Sequence, residues 1–162
     1  MTHPDAETLI QSYAVNLRIM HMQTDGLSHE DSLIQPRFRG NCLNWVLGHI
    51  LVGRNTALKL LGEPPVWREE DEARYKTGSE PITSDEHALP LKQLLRDLDR
   101  SQERIGEALT RTSPEELAAM IPFRGSERPL GQALNGLHWH ETYHLGQLEL
   151  LRQLAGTDDA II

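Results

Sequence analysis

The sequence predicts an all-α protein built on four long helices, and three observations carry that reading. Apolar residues recur at three- and four-residue steps in four separate stretches. No stretch alternates β-branched with polar residues, and no Asn-Gly or Asp-Gly dipeptide sits between two such runs. Cap and stop residues stand where helix ends need them.

Taken in order, Pro4 with Asp5 and Glu7 suits a first helical turn, and Leu9, Ala14, Leu17 and Met20 follow at helical spacing, giving a helix over about 4–24. Gly26 to Gly40, with Pro36, reads as a loop holding at most one short turn. Asn41 suits the cap of a second helix that runs to about Leu61 and is stopped by Gly62. The polar, turn-rich stretch "GEPPVWREEDEARYKTGSEP" is a long connection, and its acidic run "REEDEAR" reads as a solvated loop. A third helix starts near Ser84 or at Pro90 and runs to about Thr110, with Leu91, Leu94, Leu95, Leu98, Ile105 and Leu109 as its core face. "SPEEL" offers Ser113 as a cap and Pro114 as first residue of a short extra helix. The fourth long helix spans Pro129 to about Ala155, with Gly156 past its end. The long link at 62–83 permits a crossover, so simple up-down connectivity is not expected.

Length and composition bound the function. A chain of 162 residues suits one domain, 1–162, with one sizeable and mainly aliphatic core, since aromatics are 5% of residues. The formal net charge of −8 lacks the basic face that a phosphate-tracking protein needs, so nucleic acid is not expected as a partner; the enzyme reading below expects a small-molecule substrate. No apolar run is long enough to span a membrane, and "MTHPDAETLI" lacks the pattern of a signal peptide. A single cysteine, Cys42, forbids an intrachain disulfide and a Cys-rich zinc site. These features point to a cytoplasmic protein.

The chemistry concentrates in "HWHETYHLGQ" at 138–147. The apolar stripe of the fourth helix runs through Leu130, Ala133, Leu134, Leu137, Leu148 and Leu151, and the same steps place His140 and His144 on it. His138 falls off that line. Eight histidines in a chain of this length give about 0.4 His-x3-His pairs by chance, so the bare spacing is weak evidence. Placement in a Leu-rich stripe is stronger. Each imidazole must satisfy its nitrogens or incur roughly 1–3 kcal/mol. Carboxylates or carbonyls of other helices serve that need as well as a metal would. His49 lies midway along the apolar second helix, on a face with Cys42, Trp45, Val46 and Val52, and has the same need. Three inward histidines on two helices suit a catalytic-type centre with one open position, and zinc, nickel and iron all accept imidazole. Cys42 reads as a small buried residue, not a fourth ligand. Glu141 reads as solvated, with support of a ligand as the alternative, and Gln147 is a candidate to bond a ligand nitrogen. His3, His21, His29 and His87 fall in tails, helix ends or loops.

Two stretches, "NWVLGHI" ending in His49 and Ile50 and "HETYHLGQLELLRQLAG" at 140–156, resemble the DinB-like (DinB/YfiT-like) metalloenzymes. The resemblance covers the whole chain in layout and these two stretches in detail. It implies a four-helix bundle of the DinB/YfiT-like type with a long crossover connection, often a homodimer. It also implies a divalent metal on His49, His140 and His144, zinc or nickel first and iron or manganese after them. Relatives of this type include S-transferases that use bacillithiol, mycothiol or glutathione, and a maleylpyruvate isomerase. Some carry an acidic residue three or four positions after the second-helix histidine; here Val52 and Gly53 stand there, followed by Arg54, which leaves a general base unassigned.

The functional expectation is therefore a metal-dependent enzyme in which the ion activates a low-molecular-weight thiol cosubstrate or a water. The first makes it a thiol-dependent S-transferase, the second a hydrolase. A non-catalytic metal-binding, stress-related protein is the reading of a different class. An open coordination position facing a pocket, bordered by the 62–83 link, separates the enzyme from the binder.

Overall fold

Local cap and turn residues set several of the helix ends. The computed structural model describes residues 3–157 in the order α1 (Ala6–Thr24), α2 (His29–Ser32), α3 (Leu43–Leu60), α4 (Glu69–Tyr75), α5 (Leu91–Arg111), α6 (Pro114–Ala118), β1 (Met120–Phe123), β2 (Ser126–Pro129) and α7 (Leu130–Leu154). Asp5 caps α1 by accepting from the Thr8 N–H at 2.8 Å. Ser113 and Glu116 close a capping box on α6, with Pro114 at its first position. Gly62 and Gly156 turn the chain out of α3 and α7 at φ 77° and 86°.

Several expectations are corrected. Cys42, not Asn41, is the N-cap of α3, and it gives no side-chain cap bond. Its side chain is fully buried, with Sγ 3.6 Å from the Ile82 carbonyl, so packing overrides capping preference. Of the two starts given for the third long helix, the one at Pro90 holds and the one near Ser84 does not: a single 3₁₀ turn occupies Asp85–His87 and α5 starts after Pro90, because proline inside a helix removes a donor and clashes with the preceding turn. Ala14 is exposed, and Tyr13 and Asn16 face inward on α1 instead. The run read as a solvated loop is α4. Its Glu72 is buried and accepts from Asn55 Nδ2 at 3.0 Å and Lys59 Nζ at 2.9 Å, pinning α4 to α3. A β-hairpin also stands where no strand was expected. Its strands have four residues each, too short to show alternation. Arg124 and Gly125 at its turn have φ of 50° and 78°, the two positive values that a type I′ turn demands.

In the bundle α1 packs on α5 and α7, and α3 packs on the same two helices. α1 and α3 are therefore diagonal to one another, as are α5 and α7. The crossovers run through 25–42 and 112–129, while the long link at 62–83 joins the neighbours α3 and α5.

The apolar core has two parts with a polar layer between them. One part holds Met20, Leu43, Val46, Leu47, Ile50, Leu51, Leu94, Leu98, Leu145, Leu148 and Leu151. The other holds Leu9, Tyr13, Ala57, Leu58, Ile105, Leu134 and Leu137. Along the four long helices the residues between those parts include Asn16, Arg54, Ser101 and Glu141, all buried. His140 and His144 fall at the same level of α7.

Candidate metal centre

His49, His140 and His144 each offer a nitrogen such that all three lie within 4.8 Å of one another. The rings meet edge-to-face, with centroids 5.1 Å apart for His49–His140, 4.8 Å for His49–His144 and 4.5 Å for His140–His144. The α7 pair is one turn apart and faces the same way, as the stripe requires. His49 comes from α3, across the groove between the two helices.

The chain fixes which nitrogens face inward. His49 Nδ1–H donates to the Tyr75 carbonyl at 2.8 Å, so its Nε2 is left for the site. Trp45 stacks flat on the same imidazole at 4.7 Å and 11°. His144 Nδ1–H donates to Gln147 Oε1 at 2.8 Å, which again leaves Nε2 bare. That Nε2 lies 3.2 Å from His140 Nε2. Two nitrogens bound at 2.0–2.1 Å in a tetrahedron sit about 3.3–3.4 Å apart, so the α7 pair already has a chelating separation.

Electrostatics keeps the three rings neutral. Burial, the charge of the other two histidines and Arg124 push His140 down to about 4. Burial likewise lowers His49, against the pull of the Tyr75 carbonyl, and His144, against its bond to Gln147. A neutral imidazole with a free lone pair is the form that binds a cation. The donor set therefore fits a divalent ion of the borderline kind. No fourth His, Cys, Asp or Glu joins the cluster among the described residues. Cys42 is elsewhere and inert, because burial raises its thiol pKa.

Two cavities meet at this cluster. The larger, about 410 Å³, is walled by Trp45, Val46, Tyr143, Leu150, Leu151 and Phe38 and reaches all three histidines. The smaller, about 300 Å³, touches His49 and His140 and is bordered by Lys76, Thr77 and Arg124. Thr77 of the 62–83 link borders both, as expected of that link.

Glu141 is not solvated, contrary to the sequence reading. It is 3% exposed and paired with Arg54, the largest fully buried side chain. Arg54 Nε and Nη2 donate to the two Glu141 oxygens at 2.9 and 2.8 Å. Its remaining donors reach the Tyr13 carbonyl, Ser101 Oγ and Gln102 Oε1 at 3.1, 3.3 and 3.1 Å. One guanidinium thus ties α1, α3, α5 and α7 together beside the histidines. Glu141 holds the helix segment that carries His140 and His144, and it touches neither ring.

The folding reason for Tyr75 lies in α3. A Cβ at position 48 would stand 2.1 Å from the Tyr75 ring, so only glycine lets that ring lie against α3 and bring its carbonyl to His49. Tyr75, Thr77, Lys76 and Arg124 are site residues that sequence reasoning missed. The readable signals were the amphipathic "EEDEARY" run and the Arg-Gly dipeptide at 124–125. His138 turns away, with its ring edge-on to Tyr13 at 5.4 Å. A His138→Ala protein is expected to retain the metal content of the unaltered chain, measured by atomic emission; loss of metal would contradict this placement.

A family model for the DinB superfamily matches residues 16–148. The chain belongs to the DinB superfamily. A crystal structure of a DinB-like protein from Bacillus cereus is similar to it with a TM-score of 0.69, at 23% identity and over 95% of both chains. At that identity the likeness of this DinB-superfamily member to the Bacillus protein speaks for the fold. No curated protein matches the chain at a significant level. No helix among the described residues is long and apolar enough to cross a membrane.

Proposed function

We propose that the protein is a metal-dependent enzyme that holds one divalent ion, zinc or nickel, on His49, His140 and His144 and acts as a thiol-dependent S-transferase. The observation that carries this reading is the convergence of three neutral imidazoles, two of them oriented by hydrogen bonds, on the wall of an open cleft. A structural centre would be closed by a fourth protein ligand, whereas a catalytic one keeps a position free. When bound, the ion supplies positive charge that deprotonates a coordinating thiol outright.

The choice of thiol over water rests on the walls. Neither cavity at the histidines is lined by a carboxylate among the described residues. Glu141, the nearest in sequence, is committed to Arg54. Bound to the ion, water ionises only near pH ~7 whereas a thiol is deprotonated outright, so with no carboxylate to take up water's proton the thiol is the better-activated nucleophile. Trp45, Val46 and Leu151 exclude water from one side of the larger cleft, and Tyr143 and Phe38 offer faces for an apolar substrate body.

A cobalt- or nickel-loaded sample tests both parts. Adding glutathione, bacillithiol or mycothiol is expected to produce a sulfur-to-metal charge-transfer band. If none of the three changes the spectrum and azide does, the water-based hydrolase reading replaces this one. If neither a thiol nor azide changes it, the centre is closed and the non-catalytic reading stands.

The same proposal includes a homodimer through the outer face of α7. Trp139, Tyr143 and Leu150 are 67%, 59% and 57% exposed at helical spacing on one side, and Trp139 stacks on Tyr143. Leu145, also apolar and off the His140–His144 stripe, is buried within the chain and takes no part in that face. Light scattering at micromolar concentration is expected to give twice the 18.4 kDa chain mass; a monomer alone refutes the dimer.

A further inference from the structure

The two cavities at the histidines differ in charge. The larger is mostly apolar, whereas Lys76 and Arg124 border the smaller, and Thr77 lines both. In a chain of net charge −8, two cations around a carboxylate-free hollow reverse the local sign.

Arg124 occupies a position that structure alone does not favour for it. It is the first central residue of the hairpin turn, at φ 50°, where glycine, asparagine or aspartate fits without strain. No hydrogen bond or ion pair is formed by it among the described residues. Its guanidinium lies over the Phe123 ring at 5.3 Å, which steadies the side chain and leaves the N–H groups open. The charge is felt at both His49 and His140. Lys76 directly follows Tyr75, whose carbonyl holds His49. Its ammonium stands 4.0 Å from Glu72, which already accepts from Lys59 and Asn55. Both cations thus retain unused donors, and both line the same hollow.

We infer that the smaller cavity binds the oxyanion group, a carboxylate or a phosphate, of a small organic substrate, with Arg124 and Lys76 as its counter-charges. The volume of about 300 Å³ suits such a group with a few attached carbons. Arg124 offers a planar fork that matches an oxyanion, and Lys76 adds a point charge. Contact with His49 and His140 sets the anion beside the proposed ion and not in place of it. The inference takes its catalytic meaning from the metal-centre reading, but the anion site itself is built from residues that ligate nothing.

Calorimetric titration of hexanoate, hexyl phosphate and, as neutral control, 1-hexanol tests it on zinc-loaded and metal-free protein. Arg124→Gln/Lys76→Gln is expected to weaken both anions by about tenfold or more in either state and leave 1-hexanol unchanged, with bound zinc unaltered. Tighter hexanoate or tighter hexyl phosphate tells carboxylate from phosphate. Arg124→Asn should lose part of that affinity, Lys76 supplying the rest, while its melting temperature holds or rises, since asparagine suits the turn; a purely structural arginine would lower it. Equal anion affinity in variant and unaltered protein, or anions bound no better than 1-hexanol, overturns the inference. Failure of the unaltered protein to hold zinc sinks the metal reading, and the metal-free titrations still decide the anion site.

Discussion

Replacing Arg54 or Glu141 singly by alanine is expected to destabilise the protein by about 3–5 kcal/mol, because each deletion strands the other charge in the interior. Arg54 is 0% exposed and Glu141 3%, so neither residual charge can reach water without opening the bundle. Arg54 also carries bonds to Tyr13, Ser101 and Gln102, and its loss leaves a buried carbonyl and hydroxyl short of a donor. For a chain of this size the melting temperature should fall by roughly 10 °C. The double replacement Arg54→Met/Glu141→Leu should cost less than either single change, since no charge stays buried. Thermal and urea unfolding measure all three. Single variants within about 1 kcal/mol of the parent would mean that water enters the layer and that the pair is not a staple.

That pair also marks where the sequence stopped being readable. Helix positions followed from local information: apolar steps, the Ser113 cap and the Gly62 and Gly156 stops lie within one helix each. So did the inward facing of His49, His140 and His144, because each sits on a stripe that the core must bury. Glu141 was misread because its partner is 87 positions away and on another helix, where no periodicity of α7 could reveal it. The departure at Val52 and Gly53 drew the eye to a missing acid, while Arg54 beside them was the residue with the answer. The 62–83 link hid α4 for a similar reason. Glu72 looks solvated until Asn55 and Lys59 of α3 meet it. Tyr75 contributes a backbone carbonyl, a group every residue has, so no residue type could announce it. Arg124 lay in strands too short to alternate, at a turn position where arginine is unexpected.

The remaining large effect concerns the histidines themselves. Alanine at His49, His140 or His144 is expected to remove most bound metal from protein purified without chelators, and the His140→Ala/His144→Ala double variant should retain none. Two imidazoles are a poor site for a divalent ion, whereas three, with the tautomers of His49 and His144 fixed by their hydrogen bonds, resist its loss. Proton competition gives a second, independent readout. The imidazoles must be neutral to coordinate, so metal is lost as pH falls. Free histidine titrates near 6.5, and all three are lowered, His140 to about 4, chiefly by burial. Release should therefore begin below pH 6.5 and reach its midpoint lower still, with bound metal shifting it further in the same direction. The unfolded chain binds protons more readily than the folded one across that window, so the metal-free protein should also lose stability as pH falls from 6.5 toward 4. A metal titration against pH, followed by emission spectroscopy after desalting, gives the midpoint. A midpoint at or above 6.5 would show that the rings are solvated in the folded protein, and stoichiometric metal in the double variant would show that the ion sits elsewhere.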